Sequence, residues 1–186
     1  MNIITINNKQ LIKAHTAFIN NNKKSLAFGK QAEKYIFELY LKQFGFISAT
    51  HKYSAFDFYN EKTQIAIELR CYKQCWGTSL INSTKIEKYK NKKPYTKFYN
   101  DAKPIKINKL IIIWGHFNMQ HDMFEDIFEL KLELYFQSAD ELIKLIKNKN
   151  LKPTCVGIHD SIQYRFNNND LEKLSFFNFQ IELLFS

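Results

Sequence analysis

The chain has few of the residues that build linkers, disulfide frameworks or membrane spans. Its 186 residues include 5 glycines, 3 prolines and 3 cysteines. So few glycines and prolines argue against long flexible linkers, and an odd set of cysteines without a disulfide pattern favours a reducing compartment. The longest apolar run, Leu110 to Trp114, is far too short to cross a bilayer, and the first residues do not form a secretory signal. We therefore expect a soluble intracellular protein, not secreted, with a single domain over residues 1–186.

Acidic residues are also in short supply. There are 18 Asp and Glu against 27 Lys and Arg, which gives a net charge of +9 and a pI of about 9.3. Such an excess favours an acidic partner, of which nucleic acid is the commonest and an anionic membrane the next. A glycine-rich phosphate loop and a nucleophile elbow are both absent from the sequence, so the chemistry has to be sought in other residues.

Hydrophobic periodicity gives the order of the elements. A helix is expected over 9–20, and a stronger one begins near Ser25, follows i, i+3, i+4, i+7 spacing through Phe44 and ends at Gly45. Ser138 and Glu141 form a capping box for another helix. The remaining expected elements are strands at 46–53, 55–59, 64–70, 106–114, 154–166 and 175–185, a turn at 60–63 and a helix at 79–90. This order predicts an α/β fold with a central mixed sheet flanked by helices.

Two carboxylates flank the expected turn. Residues Ile65, Ile67 and Leu69 alternate with Ala66, Glu68 and Arg70, so Glu68 shares a strand face with Ala66. A hairpin centred on 60–63 would set Asp57 about opposite Ala66 and make it a diagonal neighbour of Glu68, on the order of 7 Å away. Two carboxylates this close repel each other unless a cation, a proton or a basic group lies between them. Mg²⁺ prefers oxygen ligands and would fit, with Mn²⁺ as a substitute.

Asp57 followed by Glu68-Leu69-Arg70 resembles the D…(D/E)-x-K signature of the PD-(D/E)XK nucleases, which include restriction endonucleases and Holliday junction resolvases. The segment Gly29-Lys30-Gln31-Ala32-Glu33 is similar to the G-x-x-x-E of the first helix in the resolvase branch. The resemblance implies a restriction-endonuclease-like α-β-β-β-α-β core over about residues 25–117, followed by a C-terminal α/β extension over about 118–186. It also implies that Asp57, Glu68, the carbonyl of Leu69 and Glu33 form the metal site.

The sequence departs from the family where the family has lysine. Arg70 can donate to a phosphate but cannot act as a base, because its pKa stays above about 12. Lys73 could supply the missing amine, although its odd offset from Arg70 places it on the other face of a regular strand. Alternatively, Arg70 acts electrostatically and no amine is needed. A third reading is a nuclease fold without catalytic activity.

A lysine-rich segment follows the candidate strand. Residues 85–109 hold nine lysines and two acidic residues, interleaved with aromatic residues. Lysines neutralise phosphates, while aromatic rings stack on exposed bases. The expected nucleic-acid contacts are Lys85, Lys88, Lys90, Lys92, Lys93, Tyr95 and Lys97. A solvated helix and loop is the competing reading.

The sequence therefore predicts a Mg²⁺-dependent nuclease, with DNA as the favoured substrate. Its expected catalytic residues are Asp57, Glu68, Arg70, Glu33 and Lys73. The alternative is a catalytically inactive protein on the same fold that binds nucleic acid or serves in assembly. DNA against RNA, endonuclease against exonuclease, and a homodimer against a monomer all stay open.

Overall fold

The computed structural model describes residues 3–48, 56–73, 77–90, 107–122, 127–156 and 161–173. Within these ranges the helices are α1 (Lys9–Asn20), α2 (Ser25–Ile36), α3 (Ser83–Lys90) and α4 (Ala139–Asn148). The strands are β1 (Ile3–Ile6), β2 (Ile47–Ser48), β3 (Phe58–Asn60), β4 (Ile65–Tyr72), β5 (Thr78–Asn82), β6 (Lys109–Asp122), β7 (Ile127–Ser138), β8 (Thr154–Val156), β9 (Ser161–Asn167) and β10 (Glu172–Lys173). None of the described helices is both long enough and apolar enough to span a bilayer.

The central sheet is mixed. Its strand order is β1-β7-β6-β4-β3-β2, and β10 also pairs with β7. The strands β2, β3 and β4 are antiparallel neighbours, whereas β4 and β6 run parallel and are connected through α3. Helices pack on both faces, which confirms the expected α/β class with a central mixed sheet flanked by helices.

The alternation predicted for β4 is present. Ile65, Ile67 and Leu69 belong to the core that β4 forms with α1 and α2. Ala66 belongs to the other core, which α3, α4 and β9 cover. β4 is covered on both faces, so a charged side chain on it is removed from water. Burying the charge of Glu68 costs free energy unless other groups compensate it.

The second helix runs as far as the sequence predicts. α2 continues through a π-helical turn at Phe37–Leu41 and a 3₁₀ turn at Lys42–Phe44, and the chain leaves it at Gly45 with a φ of +78°. Glycine adopts this left-handed conformation without the steric cost that a Cβ would bring. At the other end Ser25 is already helical, and the cap position is Lys24, without a side-chain hydrogen bond.

The prediction of a helix over 79–90 was wrong in its first turn. Residues 78–82 form β5, in which Ser79 and Ile81 are buried while Thr78, Leu80 and Asn82 are half-buried. β5 pairs with β9 in a second sheet of order β5-β9-β8. Its partner lies about eighty residues further along the chain, so the local pattern could not show the pairing.

A polar cluster joins the two sheets. The Ser79 hydroxyl donates to Asn168 Oδ1 (2.7 Å) and lies 3.1 Å from His116 Nε2 on β6. All three residues are buried. Hydrogen bonds between buried polar groups restrict the packing to an arrangement that preserves them. The cluster therefore holds β5 and the turn after β9 against the central sheet.

Candidate active site

Glu68 lies near the middle of the central sheet. It stands on β4 opposite Ile112 of β6 and is only 3% exposed. Two cations approach the same oxygen of its carboxylate. Lys85 Nζ forms an ion pair with Glu68 Oε1, and Arg70 Nε lies 3.0 Å from the same atom, without hydrogen-bond geometry. The second oxygen, Oε2, is buried and has no hydrogen-bond partner among the described residues.

Asp57 is placed by the backbone of β4. Its N–H donates to the carbonyl of Ile67 (2.8 Å), and its Oδ2 accepts from the N–H of Leu69 (2.7 Å). The Asp57 carboxylate thus replaces a backbone carbonyl as the acceptor for the N–H of Leu69, just beyond the end of β3. Since Leu69 follows Glu68 directly, the hydrogen bond holds the two carboxyl groups close to each other.

The hairpin register differs from the one predicted. Tyr59, not Asp57, stands opposite Ala66, and the pairing Phe58↔Ile67 continued by one step brings Asp57 across from Glu68. The reason is a turn of four residues, 61–64, that includes Gln64 with a φ of +55°. Asn60 stabilises the start of this turn, because its Oδ1 accepts from the N–H groups of Lys62 and Thr63.

The electrostatics of Asp57 show how little compensates its charge. Burial, together with the negative charges of Glu68 and Glu33, raises the pKa of its carboxyl to about 7, although the Leu69 N–H and the Lys85 ammonium oppose the shift. A carboxyl with a pKa near 7 is half protonated at neutral pH. A cation close to Asp57 would replace that proton.

Glu33 completes the acidic group from the other side of the sheet. It lies on α2, whose residues Ala32 and Ile36 are fully buried against β4 and its neighbours. Burial raises the pKa of Glu33, and the charge of Glu68 raises it further, while Arg70 and Lys30 lower it. With Leu69 and Arg70 it lines a cavity of about 330 Å³. Glu38, on the outer face, instead pairs with Lys42.

The oxygen donors at the site are few for a metal ion held by protein ligands alone. Among the described residues no group of three or more His, Cys, Asp or Glu side chains is arranged to hold a metal ion. However, Mg²⁺ is usually held by one or two carboxylates together with waters and substrate phosphates. Asp57 and the unpartnered Oε2 of Glu68 match that smaller requirement.

Lys73 lies apart from the carboxylates. Its carbonyl accepts a hydrogen bond from His15 Nε2 (2.8 Å), and its ammonium is 4.6 Å from the ring centroid of Phe18 on α1. Both contacts are on the α1 side, as the odd offset from Arg70 requires. The strand bulge that would have turned Lys73 towards Glu68 is not present, since β4 pairs regularly with β6 as far as Tyr72.

The amine beside Glu68 is Lys85, which the sequence assigned to the nucleic-acid surface. Lys85 lies in the first turn of α3, and α3 belongs to the crossover between the parallel strands β4 and β6. A crossover helix has to pass over one face of the strands it connects. This rule could have predicted the contact between Lys85 and Glu68. Lys85 comes early in the crossover, and Glu68 lies on the face of β4 that the crossover helix covers.

The rest of the lysine-rich segment is only partly described. Lys90, at the end of α3, pairs with Glu87 (2.7 Å), and the Tyr89 hydroxyl donates to Asp140 of α4. The predicted contacts Lys92, Lys93, Tyr95 and Lys97 lie outside the described residues, as does the side chain of Lys88. The predicted strand at 175–185 also lies outside them.

Comparisons with other proteins give little independent information. No family model matches the sequence, and no curated protein sequence matches it significantly. Among solved structures the chain is similar to one described as "Structure of D212, a nuclease from a fusselovirus", with 15% identity and a TM-score of 0.40 over 74% of this chain and 73% of that chain. A likeness of this size carries no weight for function, which has to follow from the site itself.

Proposed function

We propose that this protein is a Mg²⁺-dependent nuclease of the PD-(D/E)XK type that hydrolyses phosphodiester bonds in DNA. The observation that supports it best is the position of Asp57, just before β3, beside the buried Glu68 of β4, where one oxygen of Glu68 is unpartnered and a lysine and an arginine lie beside the other. A structural ion pair needs one cation for one carboxylate. This site has three acidic and two basic side chains around one end of β4.

Asp57 and Glu68 would hold the metal ion, with the carbonyl of Leu69 as a further ligand. In a β-strand the N–H and C=O of one residue point to the same side. The N–H of Leu69 binds Asp57, so its carbonyl is directed to that same side of β4. When bound, the ion supplies Lewis-acid polarisation of the phosphate and lowers the pKa of an attacking water.

Arg70 and Lys85 would act on the substrate. Both cations lie next to Glu68, and the side chain of Arg70 is 39% exposed while that of Lys85 is 26% exposed. Each retains donors that can reach the oxygens of an incoming phosphate, where negative charge develops during the reaction. Lys85 would therefore take the role of the lysine that the PD-(D/E)XK family has where this chain has Arg70.

Glu33 is suited to a supporting role. Burial and the charge of Glu68 raise its pKa above the usual range of a glutamate. On the wall of the cavity it faces the same space as Arg70. From there it would orient a water at the site.

One observation favours a second candidate, a nuclease fold that binds nucleic acid without cleaving it. Glu68 already has two cationic partners on Oε1. A former metal site that no longer binds an ion would be neutralised by basic side chains in the same way. The two functions differ in what happens to the ion pairs. In the active enzyme the cations turn to the phosphate, whereas in the binding protein they stay on Glu68.

The decisive experiment is single-turnover cleavage. Plasmid, linear and branched DNA and RNA are incubated with Mg²⁺ or Mn²⁺, and Asp57→Asn is compared with Asp140→Asn, which alters an exposed aspartate on α4. We expect Asp57→Asn to abolish cleavage while retaining binding in Ca²⁺. Cleavage by Asp57→Asn at the parental rate would refute the proposed site, and binding without cleavage by the parent protein would favour the second candidate.

A further inference from the structure

The two arginines of this chain line adjoining cavities. Of its 27 basic residues only Arg70 and Arg165 are arginines, and all the others are lysines. Arg70 lines the cavity of about 330 Å³ described above, and Arg165 lines a second cavity of about 320 Å³. Tyr72 and Leu80 line both cavities, so the two cavities lie side by side, and together they are called the groove.

The groove is built from both sheets. Leu80 on β5 stands opposite Arg165 on β9, and Gln163, two residues before Arg165, lines the first cavity. The Tyr72 hydroxyl fastens the end of β4 to β5, because it donates to the carbonyl of Leu80 and accepts from its N–H (both 3.1 Å). The relative position of Arg70 and Arg165 is thus set by strand pairing and by hydrogen bonds.

Arginine differs from lysine in how it binds phosphate. Its planar guanidinium presents several donors in a fixed fork that matches two phosphate oxygens, whereas lysine acts as a point charge. In a chain that otherwise uses lysine, two arginines along one groove indicate two positions where the fork is needed. Arg165 is exposed and forms no ion pair with any described residue, so its donors are available to a ligand.

We infer that Arg165 is a second phosphate-binding residue, which holds a non-scissile phosphate of the same polynucleotide strand while Arg70 faces the scissile one. The inference rests on the proposed function for the identity of the scissile position. It gives β9, in the C-terminal third of the chain, a substrate-positioning role. It also implies that affinity depends on strand length, because a substrate with one phosphate cannot occupy both arginines.

The test uses oligothymidylates and oligouridylates of two to twelve nucleotides. Binding is measured by fluorescence anisotropy in Ca²⁺, and cleavage in Mg²⁺ or Mn²⁺, for the parent, Arg165→Gln, Arg165→Lys and Lys147→Gln. Lys147 is an exposed lysine of α4 that lines neither cavity, so its substitution removes the same unit charge elsewhere. The parent should show a step in affinity at the length that first reaches Arg165.

For Arg165→Gln we expect a decrease of about 10- to 100-fold in affinity and in kcat/KM on the long oligonucleotides, and a smaller decrease on the dinucleotides. The salt slope on long strands should fall by about 0.7. Arg165→Lys should recover part of the affinity. Lys147→Gln should keep both the step in affinity and the parental salt slope.

The outcomes separate the two proposals. If the parent cleaves and Arg165→Gln matches Lys147→Gln at every length, the Arg165 site is refuted while the nuclease stands. If the parent cleaves nothing but Arg165→Gln still binds long strands less tightly than Lys147→Gln does, the nuclease is refuted while the phosphate site stands. If the parent binds and cleaves none of these strands, both are refuted.

Discussion

The carboxylate of Asp57 accepts the backbone N–H of Leu69, the residue that follows Glu68. This single backbone hydrogen bond fixes one acidic group beside a second acidic group. The hydrogen bond lowers the pKa of Asp57, but burial and the charge of Glu68 outweigh it. The arrangement costs free energy in the absence of a cation, and that cost can be measured.

The first prediction concerns pH in metal-free protein. The pKa of Asp57 is about 7 in the fold against 3.8 as the ordinary value. A carboxyl with a raised pKa contributes stability that is complete below its unfolded pKa and is lost as pH rises through about 7. From pH 4 to 8 in EDTA, this residue should lower the free energy of unfolding by about 3 to 4 kcal/mol. Urea unfolding at a series of pH values provides the measurement.

The comparison with Asp57→Asn isolates that contribution. Burial lowers the pKa of His15, so His15 contributes in the opposite direction, with stability lost as pH falls. The difference between parent and Asp57→Asn cancels His15, and the exposed Asp140→Asn should behave as the parent does. Saturating Mg²⁺ should remove the difference in slope. Parallel pH profiles for parent and Asp57→Asn would show that Asp57 is not held in this environment.

The second prediction identifies the amine of the site. Lys85→Ala should slow single-turnover cleavage by about 100- to 1,000-fold, the range found when a donor to a developing oxyanion is removed. Lys73→Ala should change the rate only a few-fold, because its ammonium lies over Phe18. Lys144→Ala, an exposed lysine of α4 that is paired with Glu141, serves as the matched control. A severe effect of Lys73→Ala with a mild effect of Lys85→Ala would reverse the assignment.

The third prediction concerns the metal itself. Crystals soaked with Mn²⁺ and a phosphate analogue should show an anomalous peak between Asp57 and Glu68. Glu68→Gln should lose the peak, whereas Glu61→Gln, in the exposed turn, should keep it. A map without a peak there at saturating Mn²⁺ in the parent protein would exclude a two-carboxylate site.

The fourth prediction concerns the lysine-rich segment. Replacing Lys88, Lys90, Lys92 and Lys93 with alanine should weaken DNA binding and lower the salt slope by up to about 0.9 for each phosphate that is no longer neutralised. The matched control replaces Lys144, Lys147, Lys149 and Lys152, which removes equal charge from α4 and the residues after it. Equal slopes for both quadruple variants would mean that the segment contributes only its net charge.

Local patterns predicted those parts of the fold that depend on local contacts. The alternation around Glu68, the glycine end of the helix at Gly45 and the helix N-cap at Ser138 are all present, the last with Ser138 Oγ accepting from the Glu141 N–H (3.2 Å), while the Glu141 carboxylate pairs with Lys144. Each of these features is decided within a few residues of chain. Period-two burial, a left-handed residue and a helix cap require no knowledge of distant partners.

The features that the sequence did not reveal depend on distant strands. The segment that forms β5 was assigned to a helix because its pairing with β9 is long-range and leaves no local signal. The position of Lys85 beside Glu68 depends on the path of the crossover between β4 and β6. The register of Asp57 was off by two because the turn is shifted along the chain. A turn decides register, and register decides which side chains face each other.

The pairing of β6 with β7 removes a strand edge through which copies of the chain could associate. Ile111 to Asp122 pair with residues Ile127 to Ser138, so β7 covers one full edge of the strand that runs beside β4. β6 is apolar over its first half and would otherwise present a long row of unpaired backbone groups. A fragment trimmed to residues 25–117 would expose that edge and join other copies through it. β7 therefore shields the apolar edge of β6 from pairing with other copies of the chain.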